Sequence, residues 1–265
     1  MNNELNQLFE LDVIKEYCEI CKACNEGNES IEKYTVEKYE FEDSNIGSII
    51  FYILKGNNKV IIQFPGSRNE YDSKVNVNFI KKKFKNYGYV HGGYLDRYNK
   101  IKELLFSQLE LIISQFSKIN NSNQILEIIF LGYSLGGYCI LPCIELSDKY
   151  ENYSNIKISC CSIASPKIGN GEFIINCNKI IKNIIRIIHP KDVITSIPPI
   201  FFGFKEFPKI KCLFVEPQRR GQSIINLIKV AINFIKSKGS IEYVGNSINE
   251  YHDINNYILN LEKLK

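Results

Sequence analysis

The sequence has little of several residue types, and each scarcity narrows what the chain can be. It contains no tryptophan and only three histidines, His91, His189 and His252. Any site that needs an imidazole therefore has three positions to choose from. The sequence also has no apolar run of about 18 residues, the length expected of a transmembrane helix. The longest candidate, Ile224 to Ile235, is interrupted by polar residues.

The amino-terminal residues lack the basic segment and apolar core of a secretory signal. The nine cysteines are an odd number with irregular spacing, which does not fit a disulfide framework. We therefore predict an intracellular, cytoplasmic protein with reduced thiols. Export without a signal, or packaging into a particle, would leave no mark in the sequence.

The charge balance excludes one class of partner. A net charge of +4 is too small to argue for nucleic acid, although it is compatible with transient contact with a membrane or lipid-droplet surface. A length of 265 residues with 45% hydrophobic residues suits one globular domain spanning residues 1–265. Nothing in the sequence predicts an oligomeric state.

Apolar periodicity predicts strands that alternate with helices. The predicted strands are Tyr34–Phe41, Ser48–Leu54, Lys59–Phe64, Ile125–Leu131, Ile156–Ala164, Asn183–Ile188 and Ile241–Val244. The predicted helices are Glu4–Cys24, a long one ending near Ile119, one after Ser134 reaching Tyr150, one through Cys177, Ser223–Lys238 and Ile254–Leu264. Residues 69–86 fit a short helix, with Val77, Ile80 and Phe84 at helical spacing, or a strand, in which Val75, Val77 and Phe79 alternate. This alternation is typical of an α/β fold with a mainly parallel sheet and helices on both faces.

One stretch has the form of a nucleophile elbow, a sharp strand-turn-helix that exposes a serine hydroxyl. The strand ending at Leu131 is followed by Gly132, Ser134 and Gly136, and then by a helical pattern. Glycines two residues before and after the serine leave room where a β-carbon would collide, and Gly137 lets the helix approach the sheet. The pattern predicts Ser134 as a nucleophile.

A serine nucleophile needs a base and an acid, and in this kind of sheet they follow the serine in the order acid, histidine. That order selects His252 as the base. Asp192 follows an apolar strand and is the predicted acid, although a turn residue after Pro190 is the other interpretation. Asp253, next to the histidine, is more typical of a helix cap.

The tetrahedral intermediate of such a site also needs hydrogen-bond donors. The backbone N–H of Leu135 is available because it directly follows the nucleophile. A second donor should come from a loop after an early strand, and Ser67 follows the strand that ends at Phe64. The residues alone leave Ser67 open between a donor and an ordinary turn serine.

Several features carry weaker signals. Cys18, Cys21 and Cys24 have no fourth ligand nearby, which favours thiols over a metal site. The apolar stretch Val193–Phe202 is either the wall of an acyl pocket or core. The basic residues between Lys81 and Lys85 either contact lipid headgroups or form a solvated face, and the predicted helix at 223–238 packs on the domain or docks on a membrane.

Six segments together resemble the class 3 (fungal-type) lipase family. They are Phe64–Ser67, Val90–Tyr94, Gly132–Gly137, Ser165–Asn170, Asp192–Val193 with Ile197–Pro199, and His252. The resemblance implies an α/β-hydrolase fold with Ser134 as nucleophile, Asp192 as acid and His252 as base. It implies oxyanion donors at Ser67 and Leu135, hydrolysis of carboxylic esters, typically acylglycerol lipids, and no cofactor or metal.

The chain also departs from the family. Pro65 stands where the family usually has arginine, and the stretch from Arg68 to Asn86 that should form a lid is basic and lacks tryptophan. His91 matches a family histidine outside the triad, which predicts a structural hydrogen bond. Alternatives to an acylglycerol lipase are a phospholipase, a small-ester carboxylesterase, or a catalytically inactive lipase-like binding or scaffold protein. The last is disfavoured by the presence of all three triad residues.

Overall fold

The computed structural model describes residues 2–119, 124–206, 210–212 and 251–263. The strand predicted at Ile241–Val244 and the helix predicted at Ser223–Lys238 lie outside these residues. The bounds of the other predicted strands and helices agree with the structure to within a few residues.

In the part of the chain that the structure describes, seven strands form the central sheet. Its strands are β1 (Thr35–Asp43), β2 (Gly47–Lys55), β3 (Lys59–Phe64), β6 (Leu126–Tyr133), β7 (Ile156–Ile163), β8 (Asn183–Ile188) and β9 (Ile210–Cys212). They lie in the order β1-β2-β3-β6-β7-β8-β9. The first three strands pair antiparallel, and every pairing from β3 to β9 is parallel. The predicted mainly parallel sheet is confirmed.

Helices cover both faces of this sheet. They are α1 (Asn2–Asn25), α2 (Glu70–Val77), α3 (Gly92–Ile119), α4 (Ile140–Lys149), α5 (Gly171–Ile180) and α6 (Ile254–Glu262). Helices α3, α4 and α5 pack in one hydrophobic core, and α1 and α6 pack in the other. The apolar run of β2 is continuous because both faces of this strand are buried. Phe51 faces the first core and Tyr52 faces the second.

Residues 69–86 contain a helix and a strand, but neither lies where the sequence patterns placed it. Asn69 caps α2 by accepting a hydrogen bond from the Asp72 amide. The chain then forms strand β4 (Lys81–Phe84), which pairs with β5 (Gly88–His91) in a separate two-stranded sheet. The helix predicted by the Val77, Ile80 and Phe84 spacing is wrong, because the helix ends at Val77.

The register of the parallel strands brings several loops to one edge. Phe64 lies opposite Gly132, and Gly132 in turn lies opposite Ser162. Since parallel strands end at the same edge, the loops that follow β3, β6, β7 and β8 emerge together. No described helix is long and apolar enough to cross a membrane.

Candidate active site

Ser134 lies on a sharp turn directly after β6. Its φ of 52° is in the left-handed region, which is rare for a residue with a side chain and costs backbone strain. A β-carbon at Gly132 would overlap the Gly136 carbonyl oxygen, and one at Gly136 would overlap the carbonyl oxygen of Phe64. One at Gly137 would strike the loop after β7. The glycines therefore have the steric role that the sequence predicted, and a 3-10 helix from Ser134 to Cys139 leads into α4.

The structure brings the three predicted triad residues together. The Ser134 Oγ lies 2.7 Å from Nε2 of His252, and Nδ1 of the same imidazole lies 2.9 Å from Oδ2 of Asp192. The Asp192 side chain is fully buried, whereas the His252 side chain is 15% exposed. An imidazole held between a hydroxyl and a buried carboxylate can accept the hydroxyl proton while the carboxylate fixes its tautomer.

Hydrogen bonds hold the Asp192 carboxylate on more than one side. The Tyr257 hydroxyl of α6 donates to Oδ2 over 2.8 Å, and the Ile194 amide donates to Oδ1 over 3.0 Å. The Tyr257 hydroxyl also accepts a hydrogen bond from the His189 amide. Burial, reinforced by the Asp192 charge, raises the Tyr257 pKa well above its usual value, so the phenol stays protonated and remains a donor.

The start of α6 fixes the position of the imidazole. The Tyr133 hydroxyl, one residue before the elbow serine, donates to the His252 carbonyl oxygen over 2.7 Å. Asp253 accepts a hydrogen bond from the Asn255 amide as the N-cap of α6. The prediction that Asp253 is a helix cap is confirmed.

The loop after β3 lies against the elbow. The backbone oxygens of Phe64 and Pro65 are the atoms that leave no room for a β-carbon at Gly136. The Gly66 amide donates over 3.0 Å to Oδ1 of Asn25, at the end of α1. Ser67 is exposed, and its Oγ accepts a hydrogen bond of 2.9 Å from the side-chain Nδ2 of Asn76 in α2. Because that bond uses an oxygen lone pair, the Ser67 proton stays available for donation.

Asn76 is in turn held by two aromatic residues. The Tyr94 hydroxyl donates to its side-chain oxygen over 3.2 Å, and Nε2 of His91 lies 3.2 Å from its carbonyl oxygen. His91 stacks on Tyr94 with ring centroids 4.0 Å apart. Burial lowers the His91 pKa to about 4, so the ring is neutral at pH 7 and donates from Nε2. The structural hydrogen bond predicted for His91 is confirmed.

Buried basic residues support the loop that carries Asp192. Arg186 of β8 donates to the carbonyl oxygens of Ser165 and Thr195, each over 2.6 Å. It also pairs with Glu206, whose other oxygen lies 3.1 Å from Lys167. Burial lowers the Lys167 pKa. The sequence reasoning missed Arg186, although a charge within an otherwise apolar strand was a usable signal.

The apolar stretch after Asp192 is only partly interior. Thr195 and Pro198 are buried, but Ile200, Phe201 and Phe202 are 58%, 80% and 48% exposed. The core interpretation is therefore wrong for these last three residues.

Among the described residues, no group of histidine, cysteine or acidic side chains is arranged to hold a metal ion. Cys18, Cys21 and Cys24 are buried between α1 and the sheet. Burial raises the pKa of both Cys18 and Cys24 to about 12, so both thiols are protonated at neutral pH.

Comparisons with known proteins agree with this geometry. Residues 61–202 match the family model described as lipase (class 3). No curated protein matched the chain in a sequence comparison.

Solved structures of fungal lipases have a similar fold. The lipase of Rhizopus microsporus var. chinensis is 17% identical, with a TM-score of 0.61 over 78% of this chain and 76% of that one. A mutant form of MDLA from Penicillium cyclopium is 22% identical, with a TM-score of 0.59 over 82% and 83%. The Rhizomucor miehei lipase propeptide complex is 19% identical, with a TM-score of 0.56 over 77% of this chain and 66% of that one.

At these identities the structural likeness establishes the fold, which is that of the α/β-hydrolase lipases. The family match, which spans more than half of the chain, supports lipase-type hydrolysis of carboxylic esters. The chain belongs to the class 3 lipase family.

Proposed function

We propose that the protein is a serine hydrolase that cleaves carboxylic esters, most readily acylglycerol lipids, through an acyl-enzyme on Ser134. The observation that carries the proposal is the continuous contact from Ser134 Oγ through the His252 ring to Asp192, at 2.7 and 2.9 Å. These distances lie within the range for nucleophile–base and base–acid hydrogen bonds.

In the first half of the reaction, His252 Nε2 takes the Ser134 proton as Oγ attacks the ester carbonyl carbon. Asp192 stays ionised and stabilises the imidazolium through Nδ1. The imidazolium then protonates the alcohol oxygen as the ester C–O bond breaks, which releases the alcohol and leaves an acyl group on Ser134. In the second half, His252 takes a proton from water as the water oxygen attacks the acyl carbonyl carbon. The imidazolium then gives that proton to Ser134 Oγ as the acyl C–Oγ bond breaks, which releases the carboxylic acid and restores the serine.

The tetrahedral oxyanion would receive hydrogen bonds from the Leu135 amide and from the Ser67 hydroxyl. The contact of the Phe64–Pro65 backbone with Gly136 supports this assignment, because it holds the Ser67 loop beside the residue that follows the nucleophile. The bond from Asn76 to Ser67 Oγ supports it as well.

We propose that residues 1–265 act as one domain and that the reaction needs no cofactor or metal. The substrate is a lipid or another ester, which follows from family membership. A location inside the cell stays a prediction from the sequence.

A fluorophosphonate probe tests the nucleophile. We expect labelling of the folded protein, no labelling of Ser134→Ala, and full labelling of Ser107→Ala, which removes an exposed serine of α3. Labelling that survives Ser134→Ala would overturn the assignment of Ser134 as the nucleophile. No labelling of the unchanged folded protein would overturn the hydrolase proposal and favour an inactive lipase-like binding protein.

Kinetics test the other roles. We expect His252→Ala to lower kcat by about 10⁶-fold and Asp192→Ala by about 10⁴-fold, as in serine hydrolases with this arrangement. A panel of acylglycerols, phospholipids and small soluble esters then tests the substrate class. Faster turnover of phospholipids or of small esters would replace the acylglycerol assignment while leaving the mechanism intact.

A further inference from the structure

A polar cavity of about 300 Å³ lies against His252, the base of the candidate triad. It is enclosed by the end of α1, the start of α6 and Tyr133, the residue before the elbow serine. The polar side chains that line it belong to Lys22, Asn25, Glu26, His252, Asp253 and Asn255. A hydrocarbon chain in this cavity would leave those groups without partners, so the cavity is unsuited to the acyl part of an ester.

Hydrogen bonds hold the walls of the cavity in place. Oδ1 of Asn25 accepts the Gly66 amide hydrogen over 3.0 Å, which ties α1 to the loop after β3. The Tyr133 hydroxyl donates to the His252 carbonyl oxygen over 2.7 Å, which ties β6 to the start of α6. Asp253 is the N-cap of α6. The cavity is therefore preformed, as small-molecule sites usually are.

Several groups in the wall are free to bind a ligand. In the part of the chain that the structure describes, the side chains of Lys22 and Glu26 form no ion pair, although both line the cavity. Nδ2 of Asn25 likewise has no hydrogen-bond partner among the described residues. The cavity thus offers donors and acceptors together. A hydroxyl group both donates and accepts, so it matches such a wall.

The charges in the wall separate two kinds of polar ligand. Lys22 is the one ammonium, whereas Glu26 and Asp253 are two carboxylates. A phosphate group would meet a single cation and two groups of its own sign, which disfavours every phospholipid headgroup. A neutral ligand that carries hydroxyl groups meets no such repulsion.

We propose that this cavity binds the alcohol part of the ester and that this alcohol is a neutral polyol with free hydroxyl groups, either glycerol or a sugar. In the mechanism above, His252 gives its proton to the departing alcohol oxygen, so the alcohol lies next to His252 when the ester bond breaks. The inference rests on the proposed ester hydrolysis and narrows its substrate. Monoesters of a polyol should be cleaved faster than esters whose alcohol has no free hydroxyl.

A matched pair of soluble substrates tests the preference. Glycerol monobutyrate and propyl butyrate have the same acyl group and differ by two hydroxyl groups on the alcohol. We expect kcat/KM to be higher for the glycerol ester by about tenfold or more, since each hydroxyl gains a net hydrogen bond in the cavity. Equal values would overturn the proposal. Faster cleavage of the butyrate ester of glycerophosphocholine would also overturn it, because the preferred alcohol would then carry charge.

Substitutions in the cavity test its location. The double variant Lys22→Met with Glu26→Ala should lower the ratio of the two kcat/KM values by at least about fivefold, because charged partners of the hydroxyls are lost. The ratio compares two substrates on one protein preparation, so a loss of folded protein cancels. The matched control is Glu151→Ala, at an exposed glutamate in the turn after α4, which should keep the full ratio. A full ratio in the double variant would overturn the proposal.

A binding measurement in the Ser134→Ala protein stands apart from catalysis. Because the chain has three histidines, their ring signals can be assigned in an NMR spectrum of histidine-labelled protein by substituting them one at a time. Glycerol should shift the His252 signal in a saturable manner. Lys22→Met with Glu26→Ala in the same background should weaken glycerol binding by at least about fivefold. The absence of a saturable shift, or equal binding by the two proteins, would overturn the proposal.

The two proposals fail in different ways. Cleavage of both esters at equal rates, without glycerol binding, sinks the polyol cavity and leaves the hydrolase intact. Saturable glycerol binding without cleavage of either ester supports the cavity and sinks the hydrolase proposal.

Discussion

Tyr257 donates a hydrogen bond of 2.8 Å to Oδ2 of Asp192, the same carboxylate oxygen that faces the His252 ring. Tyr257 is completely buried, and its hydroxyl also accepts the His189 amide hydrogen. One phenol therefore connects helix α6, which directly follows His252, to the loop that carries the acid. The distance between acid and base depends on how α6 packs.

Removing this hydroxyl tests that connection. Tyr257→Phe should lower the free energy of unfolding by about 2 kcal/mol, since a hydrogen bond to a buried charge is lost and the His189 amide is left without its acceptor. It should also lower kcat, but by far less than the roughly 10⁴-fold expected for loss of Asp192. Urea unfolding and ester kinetics measure the two effects. Tyr153→Phe, at an exposed position, is the control, and equal stability of the two variants would contradict the prediction.

Asn76 should act through Ser67. Asn76→Ala removes the donor to Ser67 Oγ, so the hydroxyl loses its orientation and kcat should fall by about tenfold. Ser67→Ala removes the proposed oxyanion donor itself and should cost about 10²–10³-fold in kcat. If Asn76 works only by orienting Ser67, the double variant should be no slower than Ser67→Ala. Additive losses in kcat would show that Asn76 acts in another way.

His91 should make stability depend on pH. Its pKa falls from 6.5 to about 4 on folding because the ring is buried. Below pH 6.5 the His91 ring is protonated in the unfolded chain, whereas in the folded protein it stays neutral until the pH falls to about 4. The stability that depends on a neutral His91 is therefore fully present above pH 6.5. As the pH falls from 6.5 toward 4, the free energy of unfolding decreases by about 3 kcal/mol in total.

The comparison that isolates this effect is His91→Gln, which keeps a donor for the Asn76 carbonyl and cannot be protonated. The free energy of unfolding of the unchanged protein, measured by urea between pH 7 and 4, should fall more steeply than that of the variant. Parallel curves would show that His91 does not cause the loss.

The helix α2 is fixed by a buried ion pair. Arg97 of α3 lies 2.6 Å from Asp72, and both side chains are at least 95% buried. Asp72→Asn should cost about 3–5 kcal/mol, because it leaves the guanidinium buried without its partner. The double variant Asp72→Leu with Arg97→Met should recover part of that loss. Asp96→Asn, which breaks an exposed pair, should cost no more than about 1 kcal/mol by thermal or urea unfolding.

The sequence predicted the sheet well where apolar runs are continuous. The bounds of β3 and β8 agree with the predicted Lys59–Phe64 and Asn183–Ile188, because each strand is a short, mostly apolar run of the kind expected in a sheet covered on both faces. Strand β4 was missed. Its sequence, Lys81 to Phe84, points three exposed lysines outward, so neither apolar periodicity nor alternation marks it.

The triad residues could be chosen from the sequence because few candidates existed. With only three histidines and one serine flanked by glycines, few combinations of nucleophile and base were possible. The residues that orient them could not be chosen in the same way. Tyr257 occupies an apolar position of an amphipathic helix, and Asn25 reaches Gly66 across 41 residues. Such contacts depend on how the helices pack on the sheet, and the pattern of apolar and polar residues within one segment does not predict that packing.

The segment that identifies the family runs from Ile61 to Phe202, yet three contributors to the site lie outside it. Asn25 comes from the first helix, and His252 and Tyr257 come from the last described part of the chain. A fragment trimmed to the recognisable segment would keep the serine and the carboxylate but would have no imidazole between them. Anyone who shortens, fuses or transplants this protein must therefore carry both ends of the chain along.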